Sequence, residues 1–294
     1  MTTVAVVAHT GKYLDGGLDR LRAVLAHEGV DAPLWYEVPK SKKAPARIRE
    51  AVDAGADLVF VWGGDGMVQR SIDALSDPAV AVAIVPAGTA NLLASELGIP
   101  TDIDKAVAIG LHGARRTLDV GVVNGERFVV MAGTGFDARM IRDTDKALKA
   151  RVGRVAYLWT AARNLRAGRV EMTVRVDGST WFEGPASCLL VGNVGTVLGG
   201  LPAFPEAAPD DGVLEVGVVT ADGVREWTRV LAALASRRPD RSPLTRMTAG
   251  REVEVHLDAK LPYELDGGDR KKTKHLTFGV EPSAITVCVP EEDR

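Results

Sequence analysis

The sequence predicts an α/β domain built on a parallel sheet, followed by an all-β domain. In the first third, continuous apolar runs alternate with stretches of helical spacing, the pattern of a parallel sheet covered on both faces. From Arg116 the character changes to many short strand-like runs punctuated by Gly, Asn, Asp or Pro, which reads as an antiparallel sandwich or barrel. At 294 residues the chain has the length at which single cores stop growing, roughly 250–300 residues, so two domains are expected. The division falls at 1–116 and 117–294, with the extreme C-terminus able to return to the first domain.

Taken in order, Val4–Ala8 is a β-branched strand, and Leu18–His27 has helical apolar spacing with Gly29 as its stop. Leu34–Val38 is a second strand, and Ala46–Ala54 a helix ended by Gly55. Asp57–Trp62 is a continuous apolar strand that runs directly into Gly63-Gly64-Asp65-Gly66. A helix over Val68–Leu75 follows, then a buried strand at Ala81–Val85. Pro86-Ala87-Gly88-Thr89 leads into a helix ending near Leu97. In the second half, strands are expected at Thr117–Val123, Arg127–Met131, Glu171–Val176, Ser187–Val191, Leu214–Val219, Glu252–Leu257, Leu276–Val280 and Ala284–Val289. Asn124-Gly125 and Asp177-Gly178 mark turns among them. Helices are expected over Asp145–Ala167 and Val224–Ser236, and Ser236–Arg251 reads as a mobile loop.

Composition narrows the function classes. Apolar residues make up 46% and charged residues 26%, as in folded globular proteins. A formal net charge of −3 does not suggest a nucleic-acid partner. Cys188 and Cys288 form no CxxC pair and have no His cluster beside them, so zinc and a disulfide framework are not expected. The first residues lack the basic region of a signal peptide, and no run of about 18 apolar residues is present. The expectation is a cytoplasmic protein.

Two glycine-rich turns follow buried strands: Gly63–Met67 and Pro86–Asn91. In open parallel sheets, ligands bind outside the carboxyl ends of strands. Glycines let backbone approach phosphate oxygens, and a following helix offers free N–H donors. Asp65, flanked by glycines, has an unobstructed carboxylate that suits orienting a Mg²⁺-bound phosphate or a hydroxyl. There is no GxxxxGK[ST] loop and no protein-kinase motif set. Alone, a strand, glycine turn and helix is structural in many folds; two such turns in order are more specific.

The segment Gly63-Gly64-Asp65-Gly66-Met67, followed by Pro86-Ala87-Gly88-Thr89-Ala90-Asn91-Leu92-Leu93, resembles the catalytic domain of the diacylglycerol kinase family. That family includes bacterial lipid kinases and sphingosine kinases and shares its nucleotide loop with NAD kinases. Gly133-Thr134-Gly135-Phe136-Asp137-Ala138 is similar to the family's GxGFDA segment. Gly192-Asn193 with Gly199-Gly200, Pro209–Leu214 and Asp266-Gly267 resemble later segments in the same order.

The resemblance implies a Rossmann-like three-layer α/β domain, a C-terminal β-sandwich and an active site in the cleft between domains. It implies ATP and Mg²⁺ as cofactors, with Gly63, Gly64, Asp65 and Gly66 around the phosphates. Gly88, Thr89 and Asn91 complete the nucleotide site, and Thr10, Gly11 and Lys12 keep a phosphate-friendly turn. Asp137 is implied near Asp65. Asp211, with the carbonyls of Ala208 and Val213, is implied at a structural Mg²⁺. The acceptor implied is a lipid hydroxyl such as that of diacylglycerol.

The chain also departs from the pattern. Met67 stands where the family has Thr, Arg70 where Glu is common, and Ala8-His9 where Asn-Pro is expected. Gly268 replaces the Glu of the family's late DGE, a general-base candidate there, which leaves Asp266 or Asp269 to serve. Two alternatives stay open: an NAD-kinase-like enzyme, and a nucleotide- or lipid-binding regulator with weak or lost catalysis.

A lipid acceptor requires transient contact with a membrane surface, and localisation at the inner membrane face is compatible with this. Lys146–Arg166 is basic and amphipathic, with Leu148, Val152, Val155, Trp159 and Ala162 on one face. Packing on its own domain is the favoured reading over membrane contact. Arg270-Lys271-Lys272 with Lys274 reads as a solvated turn. His9 ends the first strand, within reach of phosphate, while the other histidines are scattered. A homodimer is allowed.

Overall fold

In the computed structural model, residues 2–75, 77–135, 168–197 and 201–291 are described. The chain forms two compact units: Met1–Val120 with Glu281–Arg294, and Gly121–Val280.

The first unit is built on a parallel sheet. β1 (Val4–His9) lies between β2 (Leu34–Val38) and β3 (Leu58–Gly63), and β3 pairs with β4 (Ala81–Pro86), giving the order β2–β1–β3–β4. Thr286 and Val287 of the C-terminal strand extend the sheet beside β4, again parallel. Val4–Ala8, Leu58–Trp62 and Ala81–Val85 are buried throughout, which explains their unbroken apolar character: helices cover both faces.

Those helices are α1 (Gly17–His27), α2 (Ala44–Asp53), α3 (Asp65–Ala74), α4 (Leu92–Glu96) and α5 (Ile103–His112). The chain moves one way from β1 to β2 and the other way from β2 to β3. Right-handed crossovers therefore put α1 on one face and α2 and α3 on the other. The observed packing agrees, with α2 against α3 and α1 against α5. Helix α5 was not among the expected elements. Its signal was Asp102, whose side chain accepts from the N–H of Lys105 at 2.9 Å as an N-cap.

The second unit is an antiparallel sandwich, which settles the choice between sandwich and barrel. Its strands are β5 (Ala114–Val123, entering from the first unit), β6 (Glu126–Phe128), β7 (Met131–Thr134), β8 (Val170–Val176), β9 (Ser179–Ala186) and β10 (Cys188–Gly192). The short pair β11 (Thr196–Val197) and β12 (Leu201–Pro202) follows, then β13 (Leu214–Val219), α6 (Gly223–Ala235) and β14 (Thr245–Gly250). β15 (Glu252–Leu261), β16 (Tyr263–Leu265), β17 (Gly268–Asp269) and β18 (Thr273–Val289) complete the chain.

One sheet runs β14–β13–β10–β7–β16–β17, and a second ladder runs β18–β15–β8–β9. Between them lies one core. Leu189, Val191, Leu214, Val216, Val218, Tyr263 and Leu265 come from the first sheet. Met172, Val174, Phe182, Val253, Val255, Leu257, Leu276 and Phe278 come from the second. The strict alternation of β15, with Val253, Val255 and Leu257 buried and their neighbours exposed, is the period-two signature of such a face. Asn124-Gly125, Asp177-Gly178 and Asp266-Gly267 all have positive φ and close two-residue hairpins, as Asx-Gly pairs do.

Three expectations are corrected. The run Arg127–Met131 is not one strand: β6 and β7 are separated at Val129-Val130, whose N–H groups bond to Asp266 instead of a ladder. The two expected strands after Leu276 are one, β18, with Ser283 at φ 50 inside it. The segment Ser236–Arg251 carries a 3-10 turn at Pro239–Arg241 and the strand β14. The expected helix over Asp145–Ala167, Gly199-Gly200 and Asp137 lie outside the described residues. Among the described residues, no helix is long and apolar enough to cross a membrane.

Candidate active site

In the first unit the sheet order reverses between β1 and β3, because β1 connects to β2 on one side and β3 lies on the other. The crevice at such a switch point, at the carboxyl ends of the strands, is where open α/β sheets place ligands. Three sequence-predicted segments emerge there: Thr10–Lys12 after β1, Gly63–Gly66 after β3, and Pro86–Asn91 after β4.

The Thr10–Lys12 turn is held internally. The N–H of Thr10 donates to the Val38 carbonyl at 3.0 Å, that of Gly11 to His9 Nδ1 at 3.0 Å, and that of Lys12 to the His9 carbonyl at 3.1 Å. The turn therefore does not present these N–H groups to an anion. What it presents are the exposed side chains of Thr10 and Lys12. His9 ties the turn with its ring.

The two glycine turns are bound to each other. The Asp65 carboxylate accepts from the N–H of Leu92 at 2.5 Å, across 27 positions of sequence. Asn91, buried and at φ 48, accepts from the Gly88 N–H at 2.9 Å and donates to the carbonyls of Pro86 and Gly88. Burial pushes the Asp65 carboxyl up from its ordinary range, and hydrogen bonds from the backbone of residues 65 and 91–93 pull the other way.

The glycines have separable reasons. A Cβ on Gly88 would lie 2.4 Å from the Gly64 Cα, and one on Gly63 would lie 2.5 Å from the Cβ of Met67. Those glycines allow close packing within the protein. Gly66 differs: a Cβ there meets nothing within 4 Å, so its face opens outward at the start of α3. Met67, where the family pattern has Thr, is buried. Thr89 is exposed beside Gly88.

In the second unit, Asp266 is buried at the β16–β17 turn. Its carboxylate accepts from the N–H groups of Val129 at 2.8 Å, Val130 at 2.9 Å and Met131 at 3.0 Å. This pins the break between β6 and β7. Asp269 is exposed on β17, in register with Glu264 of β16. A Cβ on Gly268 would lie 2.9 Å from Arg270 Nη1. Arg270 itself donates to Glu126 at 2.7 Å and to the Gly268 carbonyl at 3.0 Å. A guanidinium thus covers the position where the family carries a carboxylate.

Glu264 was missed from sequence. It is 4% exposed, and its Oε2 has no hydrogen-bond partner. Burial first, then the charges of Asp269 and Asp266, push its carboxyl up to about 7. The available signal was a lone ionisable residue within the apolar stretch from Leu261 to Leu265.

Asp211 is exposed, and its carboxylate accepts from the N–H of Val213 at 3.0 Å. Ala208 and Val213 lie in the same loop. Glu215 follows, and its carboxyl is raised by burial first, then by the charges of Asp211 and Glu206. Carboxylate and carbonyl oxygens are the ligand type that a hard cation takes, but among the described residues no group of three or more His, Cys, Asp and Glu side chains is placed to hold a metal ion.

Residues 9–123 match the diacylglycerol kinase catalytic domain, and residues 130–289 match the YegS C-terminal NAD kinase beta sandwich-like domain. The Cronobacter sakazakii protein named "Probable lipid kinase YegS-like" is 30% identical over 271 residues, covering 88% of this chain and 87% of its own. The diacylglycerol kinase of Bacillus subtilis is 29% identical over 223 residues, covering 74% and 73%. A crystal structure of a diacylglycerol kinase from Bacillus anthracis superposes with a TM-score of 0.78 at 21% identity, covering 98% and 96%. An NAD kinase from Archaeoglobus fulgidus in complex with ATP reaches 0.53 at 12% identity, covering 97% and 93%. The structural likenesses establish the fold, and the sequence matches establish the kinship: this chain belongs to the diacylglycerol kinase catalytic-domain family, among its YegS-like lipid kinases.

Proposed function

We propose that the protein transfers the γ-phosphoryl group of ATP to a hydroxyl of a membrane lipid, diacylglycerol or a close relative. The observation that carries the reading is the coupling of the two glycine turns through Asp65 and Leu92 at the carboxyl edge of the parallel sheet. It holds the open face of Gly66 next to a carboxylate whose position is fixed.

In this reading ATP lies over Gly63–Gly66 and Gly88–Asn91. Lys12 and Thr10 meet phosphate oxygens from the neighbouring turn. Asp65 stays anchored to the backbone of α4, so its second oxygen keeps a fixed direction toward the phosphates or the acceptor. Phosphoryl transfer depends mostly on positioning and on stabilising charge, and these are what a rigid turn, a lysine and aligned N–H groups supply. Mg²⁺ bound with ATP would supply positive charge beside the phosphates. Asp211, with the carbonyls of Ala208 and Val213, would be the residues to hold a second Mg²⁺. The protein works from the cytoplasm and visits the inner membrane face.

The test is transfer of radiolabelled γ-phosphate from ATP, with Mg²⁺, to a total lipid extract in mixed micelles. An Asp65→Asn control and a parallel reaction with NAD as acceptor accompany it. A labelled lipid lost with the variant supports the reading. Labelled NADP without labelled lipid points to an NAD kinase, and ATP binding without either product points to a regulator.

A further inference from the structure

Helix α6 packs on the second unit through one stripe. Trp227 and Val230 are buried in a cluster with Cys188 of β10 and Ala221, and Leu231 and Leu234 are half-buried on the same side. At about 3.6 residues per turn, the side opposite that stripe carries Arg225, Arg229, Ala232 and Ser236, all exposed. The chain continues through Arg237, Arg238 and, in the 3-10 turn, Arg241, which are exposed as well.

We propose that this arginine face is a docking surface for an anionic lipid bilayer. The choice of a bilayer as the partner rests on the lipid-kinase reading above. The surface itself rests on charge and geometry within the second unit.

The charge is concentrated here, in a chain whose formal net charge is −3. From Gly223 to Arg251 there are seven arginines and no lysine, against two acids, Glu226 and Asp240. Glu226 is turned to the helix start, where its carboxylate accepts the N–H of Asp222 at 2.7 Å. Among the described residues, Arg225, Arg229, Arg237, Arg238 and Arg241 have no acid within salt-bridge distance. Arg20, Arg175 and Arg270 differ, being paired with Asp104, Glu254 and Glu126. An exposed arginine that pairs with no acid keeps its guanidinium fork for phosphate oxygens, which it can meet with two N–H donors at once.

Lipid headgroups and nucleic acids both offer phosphates. Val224, in the first turn of α6, favours the bilayer. It is 59% exposed and one of the two exposed large apolar side chains among the described residues. A membrane interface accepts an apolar side chain beside its basic neighbours. The apolar stripe of α6 is covered by its own sheet, so the helix rests on the headgroups and does not insert. The attraction is therefore electrostatic. Each arginine near an anionic surface adds about five-fold in affinity, and salt screens the effect beyond about 10 Å.

The experiment is co-sedimentation of the whole chain with two kinds of vesicle, phosphatidylcholine alone and phosphatidylcholine mixed with half as much phosphatidylglycerol. Wild type should bind the mixed vesicles, come off as salt rises, and leave the neutral ones unbound. Arg225→Gln with Arg229→Gln should weaken binding about 30-fold, the product of two five-fold losses. That variant should melt as wild type does, since both side chains point away from the domain. Lys42→Gln with Lys43→Gln removes the same charge from exposed positions of the first unit and should change binding by less than about two-fold. An equal loss in both variants would show that net charge governs binding, and would overturn the proposal. So would a wild type that leaves the mixed vesicles unbound, whether or not it binds duplex DNA at the same salt. Labelling of diacylglycerol in neutral mixed micelles reads the lipid-kinase reading separately. If vesicles are bound and no lipid is labelled, that reading fails and the docking surface stands.

Discussion

The carboxylate of Asp65, the first residue of α3, accepts the backbone N–H of Leu92, the first residue of α4. One side chain thereby does two jobs. It caps a neighbouring turn, and it stands at the opening proposed for the phosphates. Charge and hydrogen bonding can be separated by substitution. Asp65→Asn keeps an acceptor for Leu92 and removes the charge, so the fold should keep its stability while transfer falls about 100-fold or more. Asp65→Ala should lose transfer equally and also about 1 kcal/mol of stability, as lost caps do. Full turnover in the asparagine variant would refute the electrostatic role.

The glycines make a paired prediction. A Cβ on Gly88 meets Asn91 Oδ1 and the Gly64 Cα, both at 2.4 Å. Gly88→Ala must push the two turns apart, at a cost of about 1–3 kcal/mol. Gly66 lies in α3 at negative φ and its added Cβ meets nothing. Gly66→Ala should raise stability by up to about 1 kcal/mol, from helix propensity alone. If Gly66 faces the phosphates, that same variant should bind ATP at least ten-fold more weakly. Melting curves and ATP titrations of the two variants decide it: a Gly66→Ala protein with unchanged ATP affinity removes the nucleotide from that face.

The strands and helices of the first unit were legible because each is a continuous apolar run or a helical repeat bounded by Gly, and Gly29 and Gly55 stop the helices as expected. The glycine turns were legible as a pattern, but not for their full reason. Sequence suggested phosphate approach at every glycine, whereas Gly64 and Gly88 are required by contact with each other. The Thr10–Lys12 turn read as phosphate-friendly, a property that free backbone N–H groups would give. Sequence could not reveal that Val38, His9 Nδ1 and the His9 carbonyl already accept them. In the second unit, the role of Asp266 depends on a contact with residues more than 130 positions away. No local pattern carries such information. Glu264 was hidden for another reason: an apolar–charged–apolar triplet reads as a strand with its charge in solvent, and only the packing shows that its second face is covered too.

Asp266 should be a residue of the fold before it is a residue of the reaction. Its oxygens satisfy three buried N–H groups, and its own φ is 45. Asp266→Ala leaves those donors without partners and puts alanine in the left-handed region. A loss of about 3 kcal/mol or more is expected. Asp266→Asn keeps one acceptor oxygen and tolerates the backbone, so the loss should be near 1 kcal/mol. Urea unfolding monitored by circular dichroism reads both. Equal stability of the alanine variant and wild type would show that the β6–β7 break does not depend on this carboxylate.

Glu264 makes a prediction that needs no substrate. Its ordinary value is 4.5, and the fold raises it to about 7. Below pH 4.5 the carboxyl is neutral in both folded and unfolded chains, and it costs no charge burial. As pH rises from 4.5 to about 7, the unfolded chain ionises first and binds fewer protons than the folded one. Stability therefore falls over that window, and the loss is complete once pH passes the folded value. The interval corresponds to about 3 kcal/mol. Glu264→Gln cannot ionise and should escape the loss. The stability difference between variant and wild type should thus grow in favour of glutamine from about pH 5 to pH 8, then level off. Melting temperatures of the two proteins across that range test this directly. A difference that stays constant with pH would mean that Glu264 is not held as a partly protonated buried acid.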